Sequence, residues 1–333
     1  MIEIAVALLP VVAFLVLLVV FDSFKLVSMR QLALALGSGA AAALVAGSLH
    51  GWLFDTARLD AETASRYVAP VTEETLKALC LLYPLMRRQI GFLVDAAIVG
   101  FAIGAGFAVV ENIEYLRALP AGGLWIWSAR GFGTAIMHGT TTTIVALAAK
   151  SLVDRNRAMA LAVAPGWVAA IVLHSTFNHA LVSPLLAAVM LMLVLPLAVM
   201  AVFSRSERRT REWVGEGLDL DVELLQLVRS SAFGGTRLGR YLAELRSRFP
   251  GPVVADMFCL LQLDLELSIR VKGMLMAREA GLEVPVDDAL RARLAERAYL
   301  EKTIGRTGLL ALRPLQVTGD RDQWHRHLLK HAR

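Results

Sequence analysis

The sequence is poor in cysteine and in charge. Its 333 residues include two cysteines, Cys80 and Cys259, which excludes a disulfide framework and a cysteine-based metal motif. Charged residues make up 19% of the chain, against about 25% in an average soluble domain, and this deficit argues against an ordinary cytosolic enzyme. The sequence also lacks a basic stripe interleaved with aromatics, so the net charge of +5 does not indicate a nucleic-acid partner.

The charge that is present is distributed unevenly. Residues 1–203 contain 23 charged residues, whereas the shorter segment 204–333 contains 40. Apolar residues at a spacing of three to four, with glycine and proline between the runs, indicate helices in the second segment. The sequence therefore predicts an all-α polytopic membrane domain over 1–203, followed by a soluble helical domain over 204–333. Three histidines near its end, His325, His327 and His331, are interpreted as solvated.

Seven segments are apolar and long enough to approach the roughly 20 residues that a membrane-spanning helix needs. The first lacks the basic region and the cleavage site of a signal peptide, so we interpret it as a retained span. Lysine and arginine are in excess in the odd-numbered connections, which places the amino terminus outside and the second domain in the cytoplasm of a cell membrane. The predicted spans are 2–21, 32–54, 68–86, 92–116, 125–149, 158–180 and 183–203.

Ionisable residues lie inside the four middle spans, where burial of charge is unfavourable and usually functional. At a rise of about 1.5 Å per residue, Glu73, Glu111 and His174 each lie about 9 Å from the outer end of their span. His138 lies about 12 Å from its polar approach. The four residues, from four different helices, are therefore expected to meet on one plane in the outer half of the membrane.

This grouping permits two kinds of chemistry. A carboxylate can act as general base on water, and two histidines with a carboxylate suit Zn²⁺ with an open position. Because Glu73 and Glu74 are about 100° apart on a helix, only one of them can face the shared centre. The other is expected to pair with Lys77.

Several nearby residues are interpreted as structural. Asp95 is expected to start a helix or to pair with a basic residue, and Thr140–Thr143 to satisfy backbone carbonyls. Trp125 and Trp127 are predicted to be interfacial anchors. A proton- or cation-coupled transporter using the same Glu and His cluster is an alternative function, although no internal repeat of the kind common in transporters is present. A non-catalytic signalling scaffold is a third.

The motifs resemble those of the PrsW family of intramembrane proteases and, more distantly, those of the CAAX protease and bacteriocin-processing superfamily. Glu73-Glu74-x-x-Lys77 matches the first motif of the family, and the run from Phe107 to Glu111-Asn112 matches the second. The run from His174 to Asn178 matches the last motif, and His138 corresponds to an additional histidine. The CAAX-type relatives have a histidine where this sequence has Glu111, which favours the PrsW branch. The resemblance covers about residues 60–185, and the segment 204–333 has no recognised counterpart.

The resemblance implies a protease that cuts a membrane-anchored protein near the outer face of the lipid bilayer, such as the first cut in an anti-sigma factor. Glu73 or Glu74 would activate water, Asn178 would donate a hydrogen bond to the oxyanion, and His138 would assist. Relatives are described both as metal-dependent and as glutamate-type, so the mechanism stays open. The expected catalytic set is Glu73, Glu74, Glu111, His138, His174 and Asn178, and the expected ligands of a Zn²⁺ ion are Glu74, Glu111, His138 and His174.

Overall fold

The computed structural model describes residues 2–22, 26–57, 59–119, 123–181, 184–282, 285–312 and 314. Every regular element in these ranges is helical, as predicted. The histidines at 325, 327 and 331 lie outside the described residues. The α-helices are α1 (Ile2–Val20), α2 (Met29–Ala57), α3 (Ala61–Thr63), α4 (Ala69–Met86), α5 (Leu93–Ala118), α6 (Leu124–Ser128), α7 (Ala135–Val153), α8 (Met159–Asn178), α9 (Pro184–Arg229), α10 (Arg237–Leu245), α11 (Gly251–Glu279) and α12 (Asp288–Leu312).

Two of these helices are preceded by a π-helical turn. Ala64–Val68, here called π1, leads into α4, and Ala129–Thr134, here called π2, leads into α7. A π-helical turn is wider than an α-helical one and is frequent at functional sites. Both turns lie within ten residues of ionisable side chains that the sequence analysis selected, Glu73 on α4 and His138 on α7.

The chain forms two compact units, Met1–Glu207 and Arg208–Arg333. The predicted domain boundary at 203/204 lies four residues before this division. Four helices of the described residues are long and apolar enough to cross a membrane: Ile2–Val20, Met29–Thr56, Leu93–Ala118 and Met159–Asn178. Helices also cover the other three predicted spans, but these helices are not among the four. One of them, α4, carries three ionisable residues, Glu73, Glu74 and Lys77, within one turn. The count of seven spans therefore stays a prediction.

Helix α5 is the central element of the first unit, and its residues from Val94 to Ala108 are all buried. It packs against α1, α2 and α7. Gly104 lies so close to the backbone of His138 and Gly139 that a Cβ atom there would overlap with it. Gly106 meets the backbone of Leu36 on α2 in the same way. Small residues at such crossings let membrane helices approach closely, which explains the glycine and alanine content of α5.

The ends of two helices test two predictions. Asp95 Oδ2 accepts hydrogen bonds from the backbone N–H groups of Gly91 and Phe92 at 2.9 and 3.0 Å. It therefore caps the start of α5, as expected. The prediction that Trp127 anchors at the membrane interface is wrong, because its side chain is fully buried, whereas Trp125 is 60% exposed. Trp127 lies on α6, just before the wide π2 turn, and α6 packs against α1.

The second unit is helical, as predicted, and it too contains buried ion pairs. Lys272 of α11 donates from Nζ to Asp221 Oδ2 at 2.6 Å, and Arg297 of α12 donates from Nε to Asp264 Oδ1 at 2.6 Å. Helix α11 ends before Gly281, whose φ of 77° is a left-handed conformation that glycine adopts without strain.

Candidate active site

Two of the predicted site residues, Glu73 and Glu74, lie on one turn of α4 with Lys77, the predicted partner of one of them. Glu73, Glu74 and Lys77 are all buried, with 6%, 0% and 0% of their surface exposed. Lys77 donates from Nζ to Glu74 Oε1 at 2.6 Å. This contact confirms the prediction that one glutamate of the pair takes Lys77 as its partner, and it identifies that glutamate as Glu74.

Glu74 Oε1 is the meeting point of three donors from three helices. Besides Lys77, it accepts a hydrogen bond from Thr141 Oγ1 of α7 at 3.1 Å and lies 2.8 Å from His174 Nδ1 of α8. Because a carboxylate opposite a lysine ammonium only accepts hydrogen bonds, Nδ1 is the donating nitrogen of His174 and its Nε2 keeps a lone pair. Glu74 thereby fixes the orientation of the His174 ring, as outer-shell carboxylates do for metal-binding histidines.

Glu73 faces the other side of the His174 ring. Its Oε2 atom lies 3.9 Å from His174 Nε2 and 4.0 Å from His138 Nε2. This oxygen is buried and has no hydrogen-bond partner among the described residues. One potential ligand atom each from Glu73, His138 and His174 lies within 4.8 Å of the others. An unpaired buried carboxylate oxygen is unfavourable unless something binds there.

His138 links the two glutamates of α4 to α5. Its Nδ1 lies 2.9 Å from Lys77 Nζ, and its Nε2 lies 3.0 Å from Glu111 Oε2. The ring stands edge-on to that of His174, with ring centres 4.9 Å apart. Phe107, one helical turn before Glu111, is buried beneath the His138 ring and beneath the Lys77 ammonium. A fixed apolar floor therefore holds His138 between an ammonium and a carboxylate.

Glu111 has a second partner, Arg130 of π2. Arg130 Nη2 lies 3.1 Å from Glu111 Oε2, and Arg130 Nε donates to Asn112 Oδ1 at 3.0 Å. The guanidinium group stacks on Tyr115, 3.5 Å from the ring centre. Asn112 is itself fixed, since its Nδ2 donates to the Ala7 carbonyl of α1 at 2.8 Å.

Asn178 lies apart from this hydrogen-bond network. Its Nδ2 donates to the backbone carbonyl of Ser65 in π1 at 2.8 Å. Two neighbours on the end of α8 contact the same turn: Ser175 donates to the Arg66 carbonyl, and His179 lies 3.1 Å from the Tyr67 hydroxyl. In this structure, the amide that was expected to serve an oxyanion instead helps to join α8 to π1, although the side chain still lines the cavity described next.

A cavity of about 330 Å³ contains the inner part of this site. Glu73, Glu111 and His174 line one part of it, and Leu53, Phe54 and Leu59, around the connection between α2 and α3, line another. Glu74 is not among the lining residues. Glu73 and Glu111 are therefore the predicted carboxylates that a molecule in the cavity would reach, and Glu74 acts behind His174.

The structure thus brings Glu73, Glu74, Glu111, His138 and His174 into one group from four helices. Sequence reasoning missed Thr141 and the contacts of Arg130. Thr141 follows His138 by three residues and so lies on the same helix face, a signal that was overlooked because the four threonines were treated as one packing run. Arg130 is eight residues before His138, about two helical turns away, and it lies in π2, whereas His138 lies on α7.

The donor set fits a catalytic metal ion. Catalytic zinc sites commonly have two histidines and one glutamate and keep one position open. Glu73 supplies an unpaired buried oxygen, and His174 presents Nε2 with its Nδ1 bound to a carboxylate. His138 fits through Nε2 once this atom gives up its hydrogen bond to Glu111. This group contains Glu73, and neither Glu74 nor Glu111, which were both expected as ligands, belongs to it.

Buried glutamates and histidines beside a cavity in a helical unit are groups that a membrane-embedded hydrolase can use. Residues 27–203 match the PrsW family intramembrane metalloprotease. This match covers more than half of the chain, and the chain belongs to the PrsW family of intramembrane peptidases. It includes every residue that the sequence analysis placed in the site. Comparisons with curated proteins and with solved structures find no match to the chain.

Proposed function

We propose that this protein hydrolyses a peptide bond in a membrane-anchored protein, close to the outer face of the cell membrane. The observation that carries the proposal is the unpaired Oε2 atom of Glu73, which faces His138 and His174 beside a cavity. Glu74 Oε2 and Asp95 Oδ1 are also buried without a partner among the described residues, whereas Glu73 Oε2 has an imidazole nitrogen at 3.9 Å and another at 4.0 Å. The resemblance makes an anti-sigma factor the first substrate to test.

Glu73, His138 and His174 would hold a Zn²⁺ ion. When bound, such an ion supplies Lewis acidity and lowers the pKa of water near it. Glu74 stays behind His174 and keeps its Nε2 directed at the centre. Lys77 neutralises Glu74 and orients His138 through Nδ1. Neither Glu74 nor Lys77 needs to touch the substrate to be essential for the reaction.

Glu111 is placed to act as the general base. Its side chain lines the cavity and is 20% exposed, whereas that of Glu74 is 0% exposed. A water in the cavity would give its proton to Glu111, which would then deliver it to the leaving amine. Asn178 keeps one amide N–H beyond its bond to Ser65, and this group is available to a substrate carbonyl. Glutamate-type catalysis would instead give the role of base to Glu73.

A cleavage assay with matched variants tests the proposal. Purified protein is reconstituted with a panel of single-span membrane proteins, and fragments are identified by mass spectrometry. Glu73→Gln should abolish cleavage, since it removes the unpaired carboxylate oxygen. Glu114→Gln is the control, because Glu114 lines the same cavity but lies outside the Glu and His group. Equal cleavage by the parent and by Glu73→Gln would refute the proposal, and zinc content measured on the same samples separates the two mechanisms.

We also propose seven spans, with the amino terminus outside and the segment from residue 204 in the cytoplasm. Cysteine labelling in intact cells tests this topology in a background without Cys80 and Cys259. A cysteine at residue 60 or 119 should react with an impermeant thiol reagent, and one at residue 89 or 154 should react only after lysis. The opposite pattern would overturn the topology and place the cavity on the cytoplasmic side.

A further inference from the structure

Arg130 is a charged residue of the cavity that the proposed mechanism has not used. Its side chain is 15% exposed and lines the same cavity as Glu73. Three contacts from a single turn of α5 fix it: the carboxylate of Glu111, the amide of Asn112 and the ring of Tyr115. An arginine held in this way is more than a surface partner of a glutamate, because its guanidinium group has a defined position and plane.

The Oε2 atom of Glu111 has two partners, His138 and Arg130. This atom is 3.0 Å from His138 Nε2 and 3.1 Å from Arg130 Nη2. His138 Nε2 is also the atom that lies 4.0 Å from Glu73 Oε2. A cation bound by His138 through Nε2 would displace the proton that this atom donates to Glu111, and the proton would be released to solvent. Among the described residues, Arg130 would then be the remaining partner of Glu111 Oε2.

Without Arg130, a carboxylate this close to a bound cation would be attracted to it as a further ligand. Two histidines with two carboxylates would fill four positions, as in a closed structural site. With Arg130 present, its ion pair with Glu111 opposes that movement. The arginine therefore has a direct bearing on whether the site keeps an open position, which hydrolysis requires.

We infer that Arg130 is a positioning residue that holds Glu111 outside the ligand group formed by Glu73, His138 and His174. The inference rests on the proposed function, in that it assumes a divalent ion at this group. The inference gives a role to π2, which carries Arg130. Arg130 and His138 both contact Glu111 of α5, although they are eight residues apart. Tyr115 and Asn112 act through Arg130 by fixing its plane.

Cobalt substitution tests the inference without a substrate. The purified full-length protein is stripped of metal and titrated with Co²⁺, and azide is then added as a probe of an open position. In the parent, azide should change the Co²⁺ absorption spectrum. In Arg130→Met, Glu111 should join the ligands and the azide-induced change should be lost. The double variant Arg130→Met/Glu111→Gln should recover it, and Arg117→Met, at the exposed end of α5, should behave as the parent.

Glu111→Gln alone provides a second measurement that does not depend on the folding of Arg130→Met. It should bind Co²⁺ with an affinity close to that of the parent and respond to azide, because Glu111 is not a ligand while Arg130 holds it. Loss of Co²⁺ binding in Glu111→Gln, or an undiminished azide response in Arg130→Met, would overturn the inference and leave the proposed peptidase activity standing. A parent that binds no Co²⁺ would overturn the inference, whereas the peptidase proposal is decided separately by Glu73→Gln.

Discussion

Both units of the molecule bury a lysine against a carboxylate, and the two pairs are nearly alike in isolation. Lys77 and Lys272 have side chains that are 1% and 4% exposed, and each lies 2.6 Å from its partner, Glu74 or Asp221. What differs is the surroundings. Lys272 also donates to the Gly217 carbonyl of the same helix as Asp221, so its further bond joins the same two helices again.

Around Lys77, in contrast, charge and hydrogen bonds do not balance. Glu73 Oε2 has no donor, two imidazoles face it, and the cavity reaches it. In the second unit, Arg297 contacts both Asp264 and Glu301, and its Nη2 is a buried donor with no hydrogen-bond partner among the described residues. Burial nevertheless raises the pKa of the Asp264 carboxyl, against the effect of Arg297 beside it. Buried charge is therefore poor evidence for a site, and an unpaired oxygen beside imidazoles is much better evidence.

The strongest test of this comparison is Lys77→Met. Removal of one partner of a buried pair typically costs about 3–5 kcal/mol of stability, and here it also releases Glu74 and His138 from their shared cation. We expect both a loss of unfolding free energy and a complete loss of cleavage, measured on the same detergent-solubilised protein. Lys150→Met is the control, because it breaks the Lys150–Asp154 pair farther along α7 and should leave the cleavage rate of the folded protein unchanged. Cleavage by Lys77→Met at the parental rate would contradict the comparison.

Lys272→Met should have a comparable effect on stability and none on chemistry. Asp221 would be left buried without its cation, and the second unit should lose about 3–5 kcal/mol. Calorimetry on the full-length protein measures the loss, and the fragment assay measures cleavage. The double variant Lys272→Met/Asp221→Leu should regain most of the stability, since an apolar pair of similar volume replaces an ion pair with little loss. A fall in cleavage by the folded Lys272→Met protein would show that the two units differ less than proposed.

The same contrast explains how much could be predicted from the sequence. Helices, the pairing of Lys77, the cap at Asp95 and the convergence of Glu73, Glu111, His138 and His174 follow from periodicity and from the high energy of charge at membrane depth. These are properties of single helices and of their order along the chain. The family match to residues 27–203 confirms the resemblance found from the motifs.

The remaining features depend on side-chain direction, which spacing alone does not determine. Periodicity shows that Glu73 and Glu74 diverge, but not which of them meets Lys77. Arg130 lies in the π2 turn, and no local pattern in the sequence indicates such a turn. The resemblance implied an oxyanion role for Asn178, whereas the neighbouring π1 turn presents the Ser65 carbonyl to its amide.

Thr141→Val examines a single hydrogen bond of the imbalanced cluster. Thr141 Oγ1 donates to Glu74 Oε1, a charged acceptor, and such bonds contribute about 1.5–3 kcal/mol. Valine keeps the shape of the side chain, so the expected effects are a lower stability of this size and a reduced cleavage rate. Thr140→Val is the matched control, because Thr140 bonds to the Ile136 carbonyl of its own helix. Equal behaviour of the two variants would mean that Glu74 does not depend on α7.

Gly104→Ala tests the packing that places His138. A methyl group there would overlap with the backbone of His138 and Gly139, and overpacking of this kind costs about 1–3 kcal/mol. The variant should melt at a lower temperature and cleave more slowly, since α5 and α7 must move apart at the histidine. Gly37→Ala, on α2, has nothing within 4 Å of the added methyl and should match the parent or be slightly more stable. Parental activity in Gly104→Ala would show that the site tolerates a shift of His138.

The smallest effect on chemistry is expected from deletion of residues 215–333. Every side chain proposed for the site lies in Met1–Glu207, and the family match ends at residue 203. The ion pairs of the second unit, Lys272–Asp221 and Arg297–Asp264, lie among its own helices, so their removal leaves no charge of the first unit unpaired. The truncated protein should therefore cleave in detergent at a rate close to that of the parent, although its choice among substrates is free to change. Size-exclusion chromatography and thermal unfolding establish that it is folded. A folded but inactive truncated protein would show that the second unit completes the site, and the contrast between a structural and a catalytic set of buried charges would then fail.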